Sequence, residues 1–265
     1  MKSEQIKEIT DRAADQLVAA LQVGRSEALA AYLKAIGRFY RYSLHNVLLI
    51  ASQRPNASYV AGFRTWSELG RFVKKGEKGI MILAPIVRRR TDNQEDREET
   101  ARPIMGFRAA YVFDISQTDG KQLPHIGVVE GEPREYSERL HHFAAAQSIS
   151  VEYSADIAPA RGTSCGGRIK LLPGQSAAEE FSTLAHELAH ELLHRGDRRA
   201  STSKRVRETE AEATAFVVCQ AVGLETGSAA SDYIQLWNGD VQVLTESLGY
   251  IRQAASQMLE ALTDG

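Results

Sequence analysis

Cysteine is nearly absent: 265 residues contain only Cys165 and Cys219. Two thiols that far apart exclude a disulfide scaffold and fit a reducing cytoplasm. Long hydrophobic runs are missing too. None approaches the roughly 18 residues needed to cross a bilayer, so no membrane partner is expected. The opening Met1-Lys2-Ser3-Glu4-Gln5 is polar and leads into a charged helix, so no signal peptide is expected. Net charge is only −2, which leaves no global field to draw in nucleic acid. Any such case must rest on local charge. No internal repeat or low-complexity segment occurs. What is there is an ordinary soluble composition, 43% hydrophobic and 25% charged, with apolar residues for one or two cores. A cytoplasmic protein is the expectation.

The chain is organised around Thr183-Leu184-Ala185-His186-Glu187-Leu188-Ala189-His190-Glu191-Leu192-Leu193-His194, which holds H-E-x-x-H in a helical pattern. Residues four apart on a helix lie one above the other. His186 and His190 can therefore aim two imidazoles at one Zn²⁺. Glu187 is placed to act as the catalytic base toward water. Phe181, Leu184, Ala185, Leu188 and Leu192 form a stripe fit for a core. His190-Glu191-Leu192-Leu193-His194 repeats the motif in an overlapping register. The first register is the better reading, because it lies nearer the helix centre and Gly196 follows His194 as a stop. A third histidine of the H-E-x-x-H-x-x-G-x-x-H kind is excluded. Leu193 stands at its glycine position and Gly196 at its histidine position. His194 then becomes a wall of the cleft or a support for a ligand.

Taken in order, helices are expected over about 3–23, 26–35 and 43–53, the last capped by Ser43 and ended by Pro55. A short strand at 57–60 precedes a helix at 66–71 capped by Thr65. Residues 80–87 and 107–115 read as strands joined by a long polar loop at 88–102. Thr118-Asp119-Gly120 reads as a turn. A domain boundary is expected in the polar stretch near 131. Beyond it come a helix at 136–148, strands at 150–155 and 167–172, and the motif helix at 176–195. A polar loop at 196–204 and helices at 205–223, 228–237 and 241–262 complete the chain. The expected fold class is α+β. An α/β domain covers 1–130, and a mainly helical domain with a small sheet covers 131–265.

A small sheet, an H-E-x-x-H helix and then a helix offering carboxylates is the order found in gluzincin-type zinc peptidases. Their third ligand is a Glu on the second helix. Here that helix opens Arg207-Glu208-Thr209-Glu210-Ala211-Glu212. Glu208 and Glu212 share a face, and Glu210 points elsewhere, toward solvent or a basic neighbour. Spacing leaves both Glu208 and Glu212 open as the third ligand.

Between Arg64 and Arg90, eight basic residues face two acidic ones, an excess of about six positive charges in a near-neutral chain. Arg64, Arg71, Lys74, Lys75 and Lys78 lead this stretch. Trp66, Tyr40, Tyr42 and Phe107 lie in or near it. Cations tracking phosphates and aromatics stacking on bases are the physics of single-strand binding. Gly76 and Gly79 would let backbone N–H groups approach a phosphate closely.

These residues carry a resemblance. Asn46-Val47-Leu48-Leu49-Ile50, Gln53-Arg54-Pro55, Val60-Ala61-Gly62-Phe63, Trp66, Leu69-Gly70-Arg71 and Lys75-Gly76-Glu77-Lys78-Gly79-Ile80 resemble the single-stranded-DNA-binding domain of ArdC-type antirestriction proteins. His186-Glu187-Leu188-Ala189-His190 and Glu208 to Phe216 resemble the zincin domain joined to it, related to the ImmA/IrrE and SprT-like metallopeptidases. Together the halves cover nearly the whole chain. The resemblance implies carriage by mobile elements, protection of incoming DNA, and Asn46 among the DNA contacts. It also bears on the third ligand. Related gluzincins often show Glu, Ala three residues on, an acidic or amide residue at four and Ala at seven. Glu208, Ala211, Glu212 and Ala215 fill that frame. Glu208 is thereby implied as the zinc ligand. Glu212 becomes the acceptor of a ligand histidine's ring N–H, or the alternative ligand. The expected function is a zinc metallopeptidase that binds single-stranded DNA and acts on a protein met there. Two rivals stand beside it: a DNA-binding shield whose zinc only supports the fold, and a peptidase that cleaves a regulator protein.

Overall fold

The computed structural model describes residues 3–22, 26–87, 104–121, 133–224 and 241–263. The loop expected at 88–102, the boundary near 131 and the helix at 228–237 lie outside these. The chain divides into two units, Met1–Gln16 with Leu48–Gln122, and Leu17–Val47 with Leu123–Gly265. Helices α1 (Ser3–Gln22) and α3 (Leu44–Gln53) give residues to both, and α2 (Ser26–Arg38) belongs to the second. Ser43 starts α3, its Oγ accepting from Asn46 N at 3.3 Å. The fold is α+β, and no helix among the described residues is long and apolar enough to cross a membrane.

The first unit continues with β1 (Val60–Gly62), α4 (Phe63–Glu68), β2 (Arg71–Val73), β3 (Ile80–Val87), β4 (Ile104–Asp114) and β5 (Thr118–Gly120). An antiparallel sheet runs β1-β4-β3, and β2 pairs separately with β5. Ile80 faces Val112 in the register, and both are buried with Ile82. Gln53 clips α3 to β3 by bonding both the N–H and the C=O of Met81 at 2.9 Å. Two expectations fail here. Helix α4 begins at Phe63 rather than after Thr65, entered directly from β1 without a side-chain cap. Thr118-Asp119-Gly120 is a strand, not a turn, because β2 pairs along it. A Cβ at Gly120 would strike the Gly70 carbonyl oxygen, so only glycine fits that ladder position.

In the second unit a small sheet runs β6-β8-β7, from Ser150–Tyr153, Arg168–Leu171 and Gly162–Cys165. β6 and β8 are parallel, and β7 is antiparallel to β8. The helices are α5 (Arg134–Ala146), α6 (Ala177–Leu193), α7 (Gly196–Ser201), α8 (Lys204–Ala221) and α9 (Val241–Thr263). The core lies between them, built from Phe181, Leu184, Leu188, Val217, Val218, Ile251 and Met258. β7 was not expected, since Gly162-Thr163-Ser164-Cys165 shows no apolar alternation. α7 replaces an expected polar loop. Arg198 ties it back to the Leu193 carbonyl at 3.0 Å and reaches Glu210 of α8 at 2.8 Å, a pairing that local sequence does not announce.

Asp114 closes the first unit's β4. Its Oδ1 accepts from the N–H of Ser58 at 2.8 Å and of Tyr59 at 3.2 Å, and its Oδ2 from Ser116 N at 3.0 Å. Burial pushes its pKa up, but these bonds outweigh burial and hold it below the usual 3.8. Asp114→Ala should destabilise this unit by about 2 kcal/mol in urea melts, since buried donors left unpaired cost roughly 1–3 kcal/mol. The stabilisation belongs to the ionised form. It should be complete above the unfolded pKa of 3.8 and fade as pH falls through the lower folded value.

Candidate metal centre

Helix α6 opens with a capping box: Ser176 Oγ accepts from Glu179 N at 3.3 Å, and Glu179 Oε2 accepts from Ser176 N at 3.2 Å. Phe181, Leu184, Ala185, Leu188 and Ala189 are buried, which fixes the helix's rotation and turns His186 and His190 the other way. Helix α8 is capped by Ser203 and packs through buried Ala211, Ala213 and Ala215. It carries Glu208 past the two imidazoles. His186 Nε2 and His190 Nε2 lie 3.1 Å apart, and Glu208 Oε2 lies 3.6 and 3.5 Å from them. Ligands in a tetrahedron about zinc, at bonds of about 2.0–2.2 Å, stand roughly 3.3–3.6 Å from one another. The three atoms thus span one face of such a tetrahedron. They form the one group among the described residues with ligand atoms spaced for a metal ion.

Glu212 Oε2 lies 3.3 Å from His186 Nδ1, on the far side of that ring. Of the two expectations for Glu210, the basic neighbour holds and solvent does not: it is fully buried against Arg198. Its carboxylate accepts from Arg198 at 2.8 Å through both oxygens, from Ser247, and meets His194 Nε2 at 2.9 Å. His194 is buried too, and its Nδ1 faces His190 Nδ1 at 3.0 Å. In the second register Glu191 is engaged elsewhere, accepting from Gly167 N at 2.8 Å and from Arg195 at 2.8 Å.

Charge follows the same plan. Burial works against an imidazolium at His186, yet the bonds to Glu208 and Glu212 raise its pKa to about 9. Burial and the neighbouring His186 charge lower His190 to about 4. The His186 bond holds Glu208 down at about 2. Burial raises Glu187, partly countered by His186 and by a bond to Ser164 of β7. β7 comes very close here: a Cβ on Gly162 would lie 2.6 Å from Thr183 Cγ2 and 2.9 Å from Glu187 Cγ.

The expected nucleic-acid residues are scattered in role. Trp66 is 0% exposed, and its Nε1 donates to the Phe113 carbonyl at 2.9 Å. Arg71 caps the same ring, its Cζ 6.0 Å from the centroid, and bonds Thr118 Oγ1 at 2.8 Å and Thr118 O at 2.9 Å. Both hold the fold: Trp66 has no face open for stacking, and Arg71 is half-buried. Lys74 bonds the Ser116 carbonyl at 3.1 Å, and Lys75 and Lys78 are exposed. Arg64 is exposed and pairs with Glu68 at 3.2 Å. Tyr40, Tyr42 and Asn46 belong to the second unit. There Tyr40 bonds Thr263 at 2.9 Å, Tyr42 packs edge-on against Phe39, and Asn46 is buried. Gly79 serves packing, since a Cβ there would lie 2.9 Å from Tyr111 Cβ. Of the aromatics expected beside the basic stretch, Phe107 is exposed, and others join it. Phe63 and Phe72 are each 63% exposed, Tyr111 60% and Phe107 38%. Phe107 and Tyr111 share one face of β4, which period-two spacing from Phe107 to Phe113 could have revealed.

Residues 4–113 match the family model of the N-terminal domain of the anti-restriction factor ArdC. The structure is similar to crystal structures of antirestriction protein ArdC from the R388 plasmid, over 96% of this chain and 98% of that one. The metal-free form is 21% identical with TM-score 0.56, and the Mn(II)-bound form 22% with TM-score 0.57. Residues 4–113 are an ArdC N-terminal domain, and the chain has the ArdC fold. Two curated relatives are each 26% identical, the uncharacterized protein pXO2-81 of Bacillus anthracis and the uncharacterized protein y4eC of Sinorhizobium fredii. The match takes in 98% and 87% of this chain. The chain spans about half (52%) of the Bacillus anthracis relative and 83% of the Sinorhizobium one.

The distances set an order of importance for the two half-exposed glutamates of α8. Zinc titration should find the site lost in Glu208→Ala. In Glu212→Ala it should persist with affinity lowered by roughly 10–100-fold. The opposite ranking would exchange their roles.

Proposed function

We propose that this ArdC-type chain is a zinc-dependent peptidase that binds single-stranded DNA and works in antirestriction, on protein bound to incoming DNA. The observation that carries the reading is the spacing of His186, His190 and Glu208 with Glu187 beside them. Three protein ligands suit a catalytic site, where structural zinc takes four. Two imidazoles and one carboxylate suit Zn²⁺, whereas Mn²⁺ favours oxygen donors. The Mn(II) in the R388 structure supports metal binding by this fold.

His186, His190 and Glu208 would hold the ion. When bound, it supplies Lewis acidity, which polarises a peptide carbonyl and activates water. Glu187 takes the proton of the attacking water and returns it to the leaving amine. Burial raises its pKa, which makes it a stronger base than a free carboxylate. Ser164 orients it. β7 pairs only with β8 among the described strands, so its other edge can take an extended peptide beside Glu187. Exposed Phe63, Tyr111 and Phe107, with Lys75, Lys78 and Arg64, supply stacking faces and cations for a single strand.

The rival shield, in which metal only supports the fold, is separated by Glu187→Gln. That variant should keep metal and DNA affinity and lose all cleavage of DNA-bound protein, read on gels. Equal protection of DNA by Glu187→Gln in a restriction assay would favour the shield. On the DNA side, Tyr111→Ala or Phe63→Ala should weaken single-strand binding by about 1–3 kcal/mol in fluorescence titrations. Trp66→Ala should instead lower the melting temperature.

A further inference from the structure

His190 has a support of unusual depth behind it. We propose that His194 and Glu210 are positioning residues that aim His190 at the metal and keep its proton on Nδ1. The inference rests on the metal reading and adds to it a chain of assigned protons. A histidine that binds metal through Nε2 carries its hydrogen on Nδ1, and that hydrogen needs an acceptor. The group facing His190 Nδ1 is His194 Nδ1, at 3.0 Å. Only one of the two nitrogens can carry hydrogen. His194 therefore accepts there, and its own hydrogen sits on Nε2. That N–H points at Glu210 Oε2, 2.9 Å away. A carboxylate can only accept, so the direction of every bond in the chain is fixed by its inner end.

Glu210 is itself immobilised from two further elements. Arg198 of α7 donates to both its oxygens at 2.8 Å, and Ser247 of α9 donates to Oε1. Tyr250 of α9 covers the guanidinium, whose Cζ lies 3.7 Å from the ring centroid. An ion pair with Arg198 alone would satisfy a buried carboxylate. The added bonds to His194 and Ser247 make it a fixed anchor for the imidazole chain.

The two ligand histidines are thus held unequally. His186 leans on Glu212, whose side chain is 57% exposed, so water can replace a lost partner there. His194 and Glu210 are 2% and 0% exposed, so nothing replaces them. Losing the buried support should therefore cost more than losing the exposed one.

The test titrates the full-length metal-free protein with Co²⁺, whose visible spectrum reports its ligand geometry. His194→Leu should weaken Co²⁺ binding by roughly 10–100-fold, and by more than Glu212→Ala, with an altered spectrum. His194→Gln, whose amide can accept on one side and donate on the other, should restore most of both. Melting curves of the metal-free variants separate a folding defect from a metal defect. A folded His194→Leu with wild-type affinity and spectrum overturns the proposal. Nitrogen-15 spectra of the metal-loaded wild type need no variant to fold: they should show His190 protonated at Nδ1 and His194 at Nε2. The reverse tautomer at His194 overturns it too. If His186→Ala also keeps full Co²⁺ affinity, the metal reading itself fails. If His186→Ala loses the ion while His194→Leu does not, only the support fails.

Discussion

The close approach of α6 and α8 is the constraint from which the centre follows. A metal triad would tolerate only tenths of an ångström, and the third member of the candidate triad, Glu208, sits on a different helix from His186 and His190. Glu208 reaches the imidazoles because the helices meet through small side chains, with Ala185, Ala189, Ala211 and Ala215 all buried. Each helix is pressed from its outer side as well. β7 lies against α6 at Gly162, where a side chain would strike Thr183 and Glu187. α2 lies against α8 at Gly37, where a Cβ would stand 3.0 Å from the Val217 carbonyl oxygen. A glycine on either side thus sets the thickness of the stack β7, α6, α8, α2. The geometry of the candidate centre is a consequence of packing before it is a matter of ligand chemistry.

The first unit shows the same dependence with the opposite lesson. Tryptophan and arginine beside a basic loop read as a binding pair. They pair with each other and with the fold. The indole N–H is used by Phe113 and the guanidinium by Thr118, so their polar groups are already satisfied. Phe63 and Phe72, which have no polar handle, stay exposed. A side chain that can hydrogen-bond inward is the one a small sheet uses to knit strands and turns together.

This explains what could be read from sequence and what could not. α6 was legible because its period, its Ser176–Glu179 box and its paired histidines are all local. β3 and α9 were legible from apolar patterning alone. β7, β5 and α7 were not. Each has six residues or fewer, and each leans on a partner: Leu171 and its neighbours, Arg71–Val73, or Glu210, which holds Arg198. Trp66 looked available because burial is a property of the whole sheet, not of its neighbours in sequence. For Glu210 a basic neighbour was foreseen as an alternative to solvent, but its burial was not, since nothing nearby in sequence foretells Ser247, thirty-seven residues away.

The three glutamates of α8 carry that point to its end. They are chemically identical and lie within two helical turns. Glu208 and Glu212 are four residues apart and share the face toward His186, so they stay half-exposed and touch opposite sides of one ring. Glu210 is turned about 160° away from that line by two residues of helix, on 3.6 residues per turn. That rotation carries it into the interior, where a bare carboxylate would be ruinous. The chain answers with an arginine from α7, a serine from α9 and the histidine that ends α6. Those donors do more than neutralise it. Because the histidine also touches His190, the anion that burial forces on the core is connected to the metal face. Had the spacing been three residues, Glu210's counterpart would have lain on the ligand face and crowded it. Two residues give one helix both a candidate ligand, Glu208, and the proposed anchor behind another, His190.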